Sequence, residues 1–294
     1  MLNTMHMNMR HDDIALRAKP GESLSLDEMR ARLPTIFAAE PHSSRSKRYV
    51  YISTEDMLLA LVAKDFLPVE ARVSRTRDEG RRGYTKHMLR FRAKNDLGVS
   101  TERRVGDTTF EVLMRNAHDG TGSYQFLAGL LKLLCLNGLV VSDGTIGSVR
   151  VTHTGNRAQQ VDAVIAGAER VLAQGPNVLA TVRKWQNIEL NAIEQDAFAK
   201  SAHVLRFGEG TDTPFAPPQL LHARRAQEIG HNDLWSVFNR VQENSVRGGL
   251  TAIGTTATGQ QRRATTRQIK GIDQDVKLNK GLWRLAEEMA TIKS

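Results

Sequence analysis

The sequence predicts an α+β fold, in which an N-terminal sheet domain is followed by a mainly helical C-terminal half. Between about residues 49 and 151, short runs of alternating apolar and polar residues indicate strands. From residue 156 onward, apolar residues recur at helical spacing with little strand signal. The composition, 40% hydrophobic and 25% charged residues, is typical of a globular protein and excludes a disordered chain.

The N-terminal domain is predicted over residues 25–155, after a mobile leader at 1–24. A short helix begins at Ser25, a plausible N-cap, and a second helix is capped by Thr54 and ended by Pro68. From the first strand onward the expected order is β-α-β-β-β-α-β-β. The predicted strands cover residues 49–53, 69–73, 87–94, 110–114, 139–141 and 148–151, and the helices cover 25–37, 55–66 and 124–136.

The helix at 124–136 is expected to be central, because its residues are apolar nearly all round. This stretch holds Cys135, the single cysteine of the chain. A lone cysteine forms no internal disulfide, which agrees with a reducing cytoplasm, and a small core residue is the simplest interpretation of it. No apolar run is long enough for a transmembrane helix, and no secretory signal is visible, so the sequence predicts a cytoplasmic protein without a membrane partner.

The C-terminal region, 156–294, is predicted to be helical with two interruptions. Residues 208–219 contain three of the eight prolines and indicate a linker or an ordered loop. Residues 248–271 are rich in Gly, Thr and Gln, lack an acid, and are interpreted as a flexible basic arm. The predicted helices cover 156–174, 178–206, 227–247 and 274–292, and the cations of the arm are Arg262, Arg263, Arg267 and Lys270.

Most of the formal charge of +9 lies in one segment, residues 72–94, where nine Lys and Arg residues stand against two acids. Alternate residues of a strand share a face, so Lys86, Arg90, Arg92 and Lys94 are expected to face solvent while Leu89 and Phe91 enter the core. A cationic sheet face of this kind is typical of proteins that bind phosphates. The predicted nucleic-acid-binding residues are Arg72, Arg75, Arg77, Arg81, Arg82, Tyr84, Lys86, Arg90, Arg92 and Lys94, with the four cations of the arm.

The loop at residues 115–124 is the most polar motif beside apolar elements. His118 and Asp119 could ligate a metal or act as acid and base, and Gly120 and Gly122 could admit a phosphate. The same residues are equally good turn and cap formers, and this structural interpretation is favoured. No metalloprotease, CxxC or P-loop spacing is present, so no metal, cofactor or catalytic residue is assigned.

Several long strings resemble the uncharacterised family catalogued as domain of unknown function 932. They include FLPVEARVSRTRDEGRRGYTKHMLRFR, NAHDGTGSYQ, NDLWSVFNRVQENSVRGGL and GIDQDVKLNKGLW. The resemblance spans about residues 23–290 and implies carriage on plasmids and prophages, but no activity. A weaker similarity in element order and charge links the first half to phage single-strand annealing recombinases, which implies a cationic hairpin around a DNA groove and ring or helical assembly.

The leading hypothesis is therefore a non-enzymatic protein that binds single-stranded DNA and anneals or protects plasmid DNA, as a homo-oligomer. One alternative is an anti-defence protein that binds a host protein. A further alternative is a metal-dependent nuclease centred on His118 and Asp119.

Overall fold

The computed structural model describes residues 15–97, 108–132, 137–140, 149–255 and 258–293. Its composition is α+β, as the sequence predicts, with strands concentrated before residue 152 and helices after it. The strands are β1 Ala15–Arg17, β2 Phe66–Val73, β3 His87–Ala93, β4 Thr108–Asn116, β5 Tyr124–Lys132, β6 Asn137–Val140, β7 Val149–Val151, β8 Thr251–Thr255 and β9 Gln261–Thr265. The helices are α1 Leu26–Arg32, α2 Thr54–Val62, α3 Arg157–Ala173, α4 Gly175–Trp185, α5 Ala192–Phe207, α6 Leu234–Arg247 and α7 Ile272–Ile292.

The strands from β1 to β6 are hydrogen-bonded in sequence order, and β7 pairs with β5. Each of these first six strands therefore lies beside its neighbour in the chain, and the pairs β1–β2, β2–β3 and β5–β6 are antiparallel. Glu70 of β2 lies opposite Arg90 of β3, and Arg72 lies opposite Met88. Directly opposed residues share a face, so this register places Glu70 and Arg90 side by side.

The chain divides into two compact units, and the predicted boundary near residue 155 falls inside the last segment of the first. Unit 1 comprises residues 1–98, 114–125 and 150–165, and unit 2 comprises the remainder. Strands β4 and β5 and helix α3 each contribute residues to both units.

The predicted helix at 124–136 is wrong, because residues Tyr124–Lys132 form strand β5. Phe126, Leu127 and Ala128 are consecutive and all buried, so both faces of the strand are covered. An apolar run without periodicity fits a doubly buried strand as well as a buried helix, and only the neighbouring strands decide between them. Cys135 lies outside the described residues.

Two other N-terminal predictions are also corrected. Residues 49–53 do not form a strand, since Tyr49 makes only an isolated bridge to Thr154. The predicted leader is ordered at Ala15–Arg17, because β1 pairs with β2 along its whole length. Alternating apolar and polar residues indicate that a segment can form a strand. The strand forms only where a neighbouring segment offers hydrogen-bond partners at several consecutive positions.

Helix caps explain where several helices begin. Ser25 caps α1, as predicted, by accepting a hydrogen bond from the Glu28 amide at 3.1 Å. Ser53, and not the predicted Thr54, caps α2 through the Asp56 amide at 3.1 Å. The Thr54 hydroxyl is thereby available for other contacts.

The predicted helix at 178–206 is two helices, α4 and α5, because Asn191 starts a new helix. Its side chain and that of Glu194 form reciprocal hydrogen bonds with each other's backbone amides, at 3.0 and 2.8 Å.

Unit 2 is built around aromatic side chains on its helices. Trp185 of α4 packs on Trp283 of α7 with ring centroids 4.4 Å apart, and Phe238 of α6 lies 5.7 Å from Trp185. All three are buried. Helix α6 is buried along nearly its whole length, and its Glu243 accepts two hydrogen bonds at 2.8 Å from Arg225.

The expectation of a structureless arm at 248–271 is wrong, because β8 and β9 form an antiparallel hairpin there. The base of this hairpin is fixed to unit 2 by backbone hydrogen bonds. The Ile269 amide donates to Val246 at 2.9 Å, and the Gly249 amide donates to Thr266 at 2.8 Å. The pattern of apolar residues did not predict the hairpin, because two strands that are exposed to solvent need no apolar face.

Gly248 sits where only glycine fits, and Gly248→Ala is expected to destabilise the protein. Its backbone has φ 71° and ψ −160°, and an added Cβ would lie 2.6 Å from the Thr266 carbonyl oxygen. Backbone strain and overpacking together should lower the free energy of unfolding by roughly 2–5 kcal/mol, measured by urea denaturation. Gly230→Ala is the matched control, since φ is 82° and nothing lies within 4 Å. Equal losses in the two variants would contradict the predicted collision.

Candidate nucleic-acid interface

The cationic face predicted for strand β3 is not at the surface. Arg90 is 3% exposed and Arg92 is 9% exposed, although Leu89 and Phe91 on the opposite face are buried as expected. Both faces of β3 are therefore covered. The assignment of Arg90 and Arg92 to a solvent-facing DNA surface is wrong.

A buried carboxylate explains how Arg90 is accommodated. Glu70 of β2 is 7% exposed, and its Oε2 lies 2.8 Å from Arg17 Nη2 and 3.6 Å from Arg90 Nε. Burial by itself would raise the pKa of Glu70, but Arg17, Arg90 and Arg72 outweigh burial and hold that pKa below its ordinary value. Glu70 therefore stays ionised and neutralises charge inside unit 1.

Many cations of unit 1 are concentrated instead on two loops, which we call the basic loop cluster: residues 42–48 and 74–86. They hold eight Lys and Arg residues against two acids. The members are Arg45, Lys47, Arg48, Arg75, Arg77, Arg81, Arg82 and Lys86. Five of them are exposed and three partly buried, the latter being Arg45, Arg81 and Lys86.

The two loops meet on the loop that contains His118. The His118 amide donates to the Tyr84 carbonyl at 2.9 Å, and the His118 carbonyl accepts from the His42 amide at 3.0 Å. A Cβ on Gly120 would collide with the Arg45 guanidinium, so this glycine admits that side chain. Backbone hydrogen bonds thus bring together two basic segments that are some thirty residues apart in sequence.

Both acids of the basic loop cluster are engaged by neighbouring arginines. Asp78 lies 3.2 Å from Arg81, and Glu79 lies 3.0 Å from Arg82. All four side chains are more than a third exposed, so these pairs contribute little stability and leave the net positive charge of the cluster unchanged. The exposed Lys94 lies outside the cluster, 3.9 Å from Asp65.

Tyr84 is partly buried and makes an edge contact with the His42 ring, with centroids 5.2 Å apart. Among the described residues, every large apolar side chain that is exposed is aliphatic. Platforms for stacking unpaired bases are therefore lacking in this part of the chain.

His118 and Asp119 have structural partners. Asp119 accepts hydrogen bonds from the Thr121 amide and hydroxyl at 2.9 and 2.6 Å, as the turn interpretation expects. Within the part of the chain that the structure describes, no three His, Cys, Asp or Glu residues are grouped to hold a metal ion.

The interior of unit 1 contains a histidine network that sequence reasoning missed. Thr54 Oγ1 lies 2.8 Å from His87 Nε2, 3.3 Å from His118 Nε2 and 3.0 Å from Asn116 Nδ2. His87 Nδ1 lies 3.0 Å from the Thr85 carbonyl and must donate to it, so its Nε2 accepts from Thr54. One threonine hydroxyl therefore links three polar side chains from different elements.

The other two rings of the network are less well satisfied. Nδ1 of His118 is buried and has no hydrogen-bond partner among the described residues. His153 faces two acceptors, the Val50 carbonyl at Nδ1 and Asn116 Oδ1 at Nε2, both at 2.9 Å. A neutral ring can donate to only one of these two acceptors at a time.

Burial keeps these rings neutral. It lowers the pKa of His87 to about 4, against the opposing effect of the Thr85 carbonyl. Burial, with the neighbouring rings of His87 and His153, lowers the pKa of His118 to about 3. The Ile36 carbonyl opposes this shift, but it does not meet the geometry of a hydrogen bond to Nδ1. A sequence signal existed, since His87 alternates with Leu89 and Phe91 and shares their buried face.

The remaining predicted cations lie in unit 2. Arg262 and Arg263 are on strand β9, Arg267 and Lys270 follow it, and all four are exposed. Their assignment to a nucleic-acid-binding surface stays a prediction, and the hairpin gives Arg262 and Arg263 ordered positions.

None of the described helices has both the length and the apolar character needed to cross a membrane.

Comparison with known proteins connects the chain to relatives of similar length. The family described as Domain of unknown function (DUF932) matches residues 41–283. The UPF0380 protein YafZ of Escherichia coli K12 is 41% identical over 268 residues, which cover 91% of this chain and 92% of the relative. The UPF0380 protein YfjQ of the same strain is 40% identical over the same shares. No solved structure matches.

Removing the Arg90 side chain should be far more costly than removing that of Arg77. Arg90→Ala leaves the Glu70 carboxylate buried with fewer partners, and the free energy of unfolding should fall by about 3 kcal/mol. Arg77→Ala removes an exposed cation and should change it by less than about 0.5 kcal/mol. Urea denaturation at pH 7.5 measures both. Similar values for the two variants would show that Arg90 is not buried against Glu70.

Stability should fall as the solution is acidified below pH 6.5, the ordinary histidine pKa. Above pH 6.5 the rings are neutral in both the folded and the unfolded state. Below it, the histidines of the unfolded chain bind protons, whereas His87 and His118 of the folded protein bind them only near pH 4 and pH 3. The free energy of unfolding should drop by up to about 1.4 kcal/mol per pH unit for each ring.

Urea denaturation between pH 7 and 5.5 measures this slope before carboxylates begin to titrate. His87→Gln keeps an acceptor for Thr54 and should reduce the slope. A wild-type stability independent of pH in this window would refute the prediction.

Proposed function

This chain belongs to the DUF932 family, and we propose that it binds the phosphate backbone of nucleic acid, single-stranded DNA first of all, through the basic loop cluster. One observation carries the proposal: eight cations and two acids on two loops that are hydrogen-bonded through a third. Clustered like charges repel one another, and a polyanion relieves that repulsion.

The chemistry of the cluster favours backbone contacts over base recognition. Lysine and arginine side chains bind phosphate oxygens in any sequence, whereas reading unpaired bases needs exposed rings. The described residues offer cations at the surface and aromatic side chains that are at least partly buried. Binding through this cluster should therefore depend strongly on salt and weakly on sequence.

The finer form of the proposal is that a cytoplasmic homo-oligomer anneals or protects plasmid or prophage DNA, without catalysis. A protein that neutralises the phosphates of two complementary strands lowers the repulsion between them and so speeds pairing. Adding the complementary strand to a preformed complex tests this step separately from binding.

Binding to a fluorescein-labelled 30-nucleotide single strand should weaken linearly on a log–log plot against salt, with a slope of roughly −4 to −5 if about six phosphates are neutralised. Lys47→Glu with Arg48→Glu should weaken binding about tenfold or more and reduce the magnitude of the slope by about 1.4, because two phosphate contacts are lost. Both residues are exposed. Fluorescence anisotropy at 50–200 mM NaCl measures the affinity.

The matched control is Lys200→Glu with Arg284→Glu, which changes the net charge equally on the exposed surfaces of α5 and α7. The control should retain more of the affinity than the loop variant. Absence of salt-sensitive binding by the wild-type protein would refute the proposal, and equal weakening by both double variants would reject the basic loop cluster as its site.

A further inference from the structure

The hairpin of unit 2 has two unlike faces. Strands β8 and β9 pair only with each other, in a register that sets Thr251 opposite Thr265 and Ile253 opposite Arg263. Opposed residues project to the same side, and alternate residues of each strand share that side. The face we call the outer face therefore carries Thr251, Ile253, Thr255, Gln261, Arg263 and Thr265.

The opposite face packs on the protein. Ala252, Gly254 and Ala264 are partly buried, and a Cβ on Gly254 would lie 3.2 Å from Pro214. Gln219 Nε2 also donates to the Thr251 carbonyl at 2.9 Å. The hairpin is thus held along one face as well as at its base.

The outer face is open to solvent along its whole length. All six of its residues are exposed, and even Ile253 is 64% exposed. The segment 248–271 contains four cations and no acid, so a polyanion is the partner that its charge favours. Without an exposed aromatic ring among its residues, the hairpin offers nothing on which unpaired bases could stack.

The side chains of the outer face match the edges of paired bases. In the major groove, arginine binds guanine N7 and O6, glutamine binds adenine N6 and N7, and threonine or isoleucine methyl groups contact the thymine methyl. The groove is about 12 Å wide and admits a two-stranded ribbon, whose strands lie about 4.8 Å apart. Three of the six residues on the outer face are threonines, and their short side chains allow the hairpin backbone to come close to the base edges.

We propose that the outer face of the β8–β9 hairpin lies in the major groove of duplex DNA, with Gln261 and Arg263 at base edges. Arg267, which is exposed just beyond β9, contacts a flanking phosphate. This inference deepens the proposed function, since it rests on nucleic acid being the ligand, but it concerns different residues and a paired substrate.

Methylation interference on a pool of random 24-base-pair duplexes tests the groove directly. Dimethyl sulfate modifies guanine N7 in the major groove and adenine N3 in the minor groove. Duplexes bound by the full chain should be depleted of N7-methylguanine and should retain N3-methyladenine. Equal recovery of both modifications, or depletion of N3-methyladenine alone, would overturn the proposal.

Two double variants separate this proposal from the preceding one. Gln261→Ser with Arg263→Ser should weaken duplex binding about tenfold and abolish the N7 depletion, while single-strand binding persists. Lys47→Glu with Arg48→Glu should weaken single-strand binding while the N7 depletion persists. Arg284→Ser is the control for loss of one exposed cation, and circular dichroism confirms that each variant is folded. Unchanged duplex binding by the hairpin variant would refute the groove contact even if the loop cluster binds single strands.

Discussion

The buried carboxylates of Glu70 and Glu243 are each paired with arginines inside the protein, and burial without such a partner would be costly. In unit 1, Glu70 lies between the exposed Arg17 and the buried Arg90, and the burial of Glu70 and Arg90 on neighbouring strands is tolerated because they are paired. In unit 2, Glu243 of α6 is 1% exposed and accepts hydrogen bonds from Arg225 and from Arg247 at 2.6 Å. In both units the stabilised carboxylate removes arginines from the set that could meet an external anion.

The histidine network obeys the same constraint by a different means. No carboxylate forms a hydrogen bond to His87 or His118 among the described contacts, and the rings remain neutral because a charge there would be desolvated without a partner. Thr54 can serve as their common partner only because Ser53 caps α2. A one-residue difference in the cap position thus allows this polar network to form inside unit 1.

The basic loop cluster and the β8–β9 hairpin carry exposed cations at positions that the fold determines. In unit 1 the loops are positioned by backbone hydrogen bonds to the His118 loop, and in unit 2 the hairpin is anchored by Gly248 and its neighbours. We propose that the loop cations meet a flexible phosphate chain and that the two-stranded hairpin enters a groove, so the two surfaces need not recognise the same form of nucleic acid.

The α+β class, the alternating strands β2 and β3, the helical second half and the segments where positive charge concentrates could all be predicted from the amino-acid pattern alone. These features depend on local periodicity and composition, which the chain carries without reference to its fold. Three further features follow from packing between distant segments: Tyr124–Lys132 is a strand, Arg90 is buried against Glu70, and residues 251–265 contain an ordered hairpin. Periodicity states which residues share a face, but the elements packed on that face decide whether it meets water, and those contacts join residues distant in sequence.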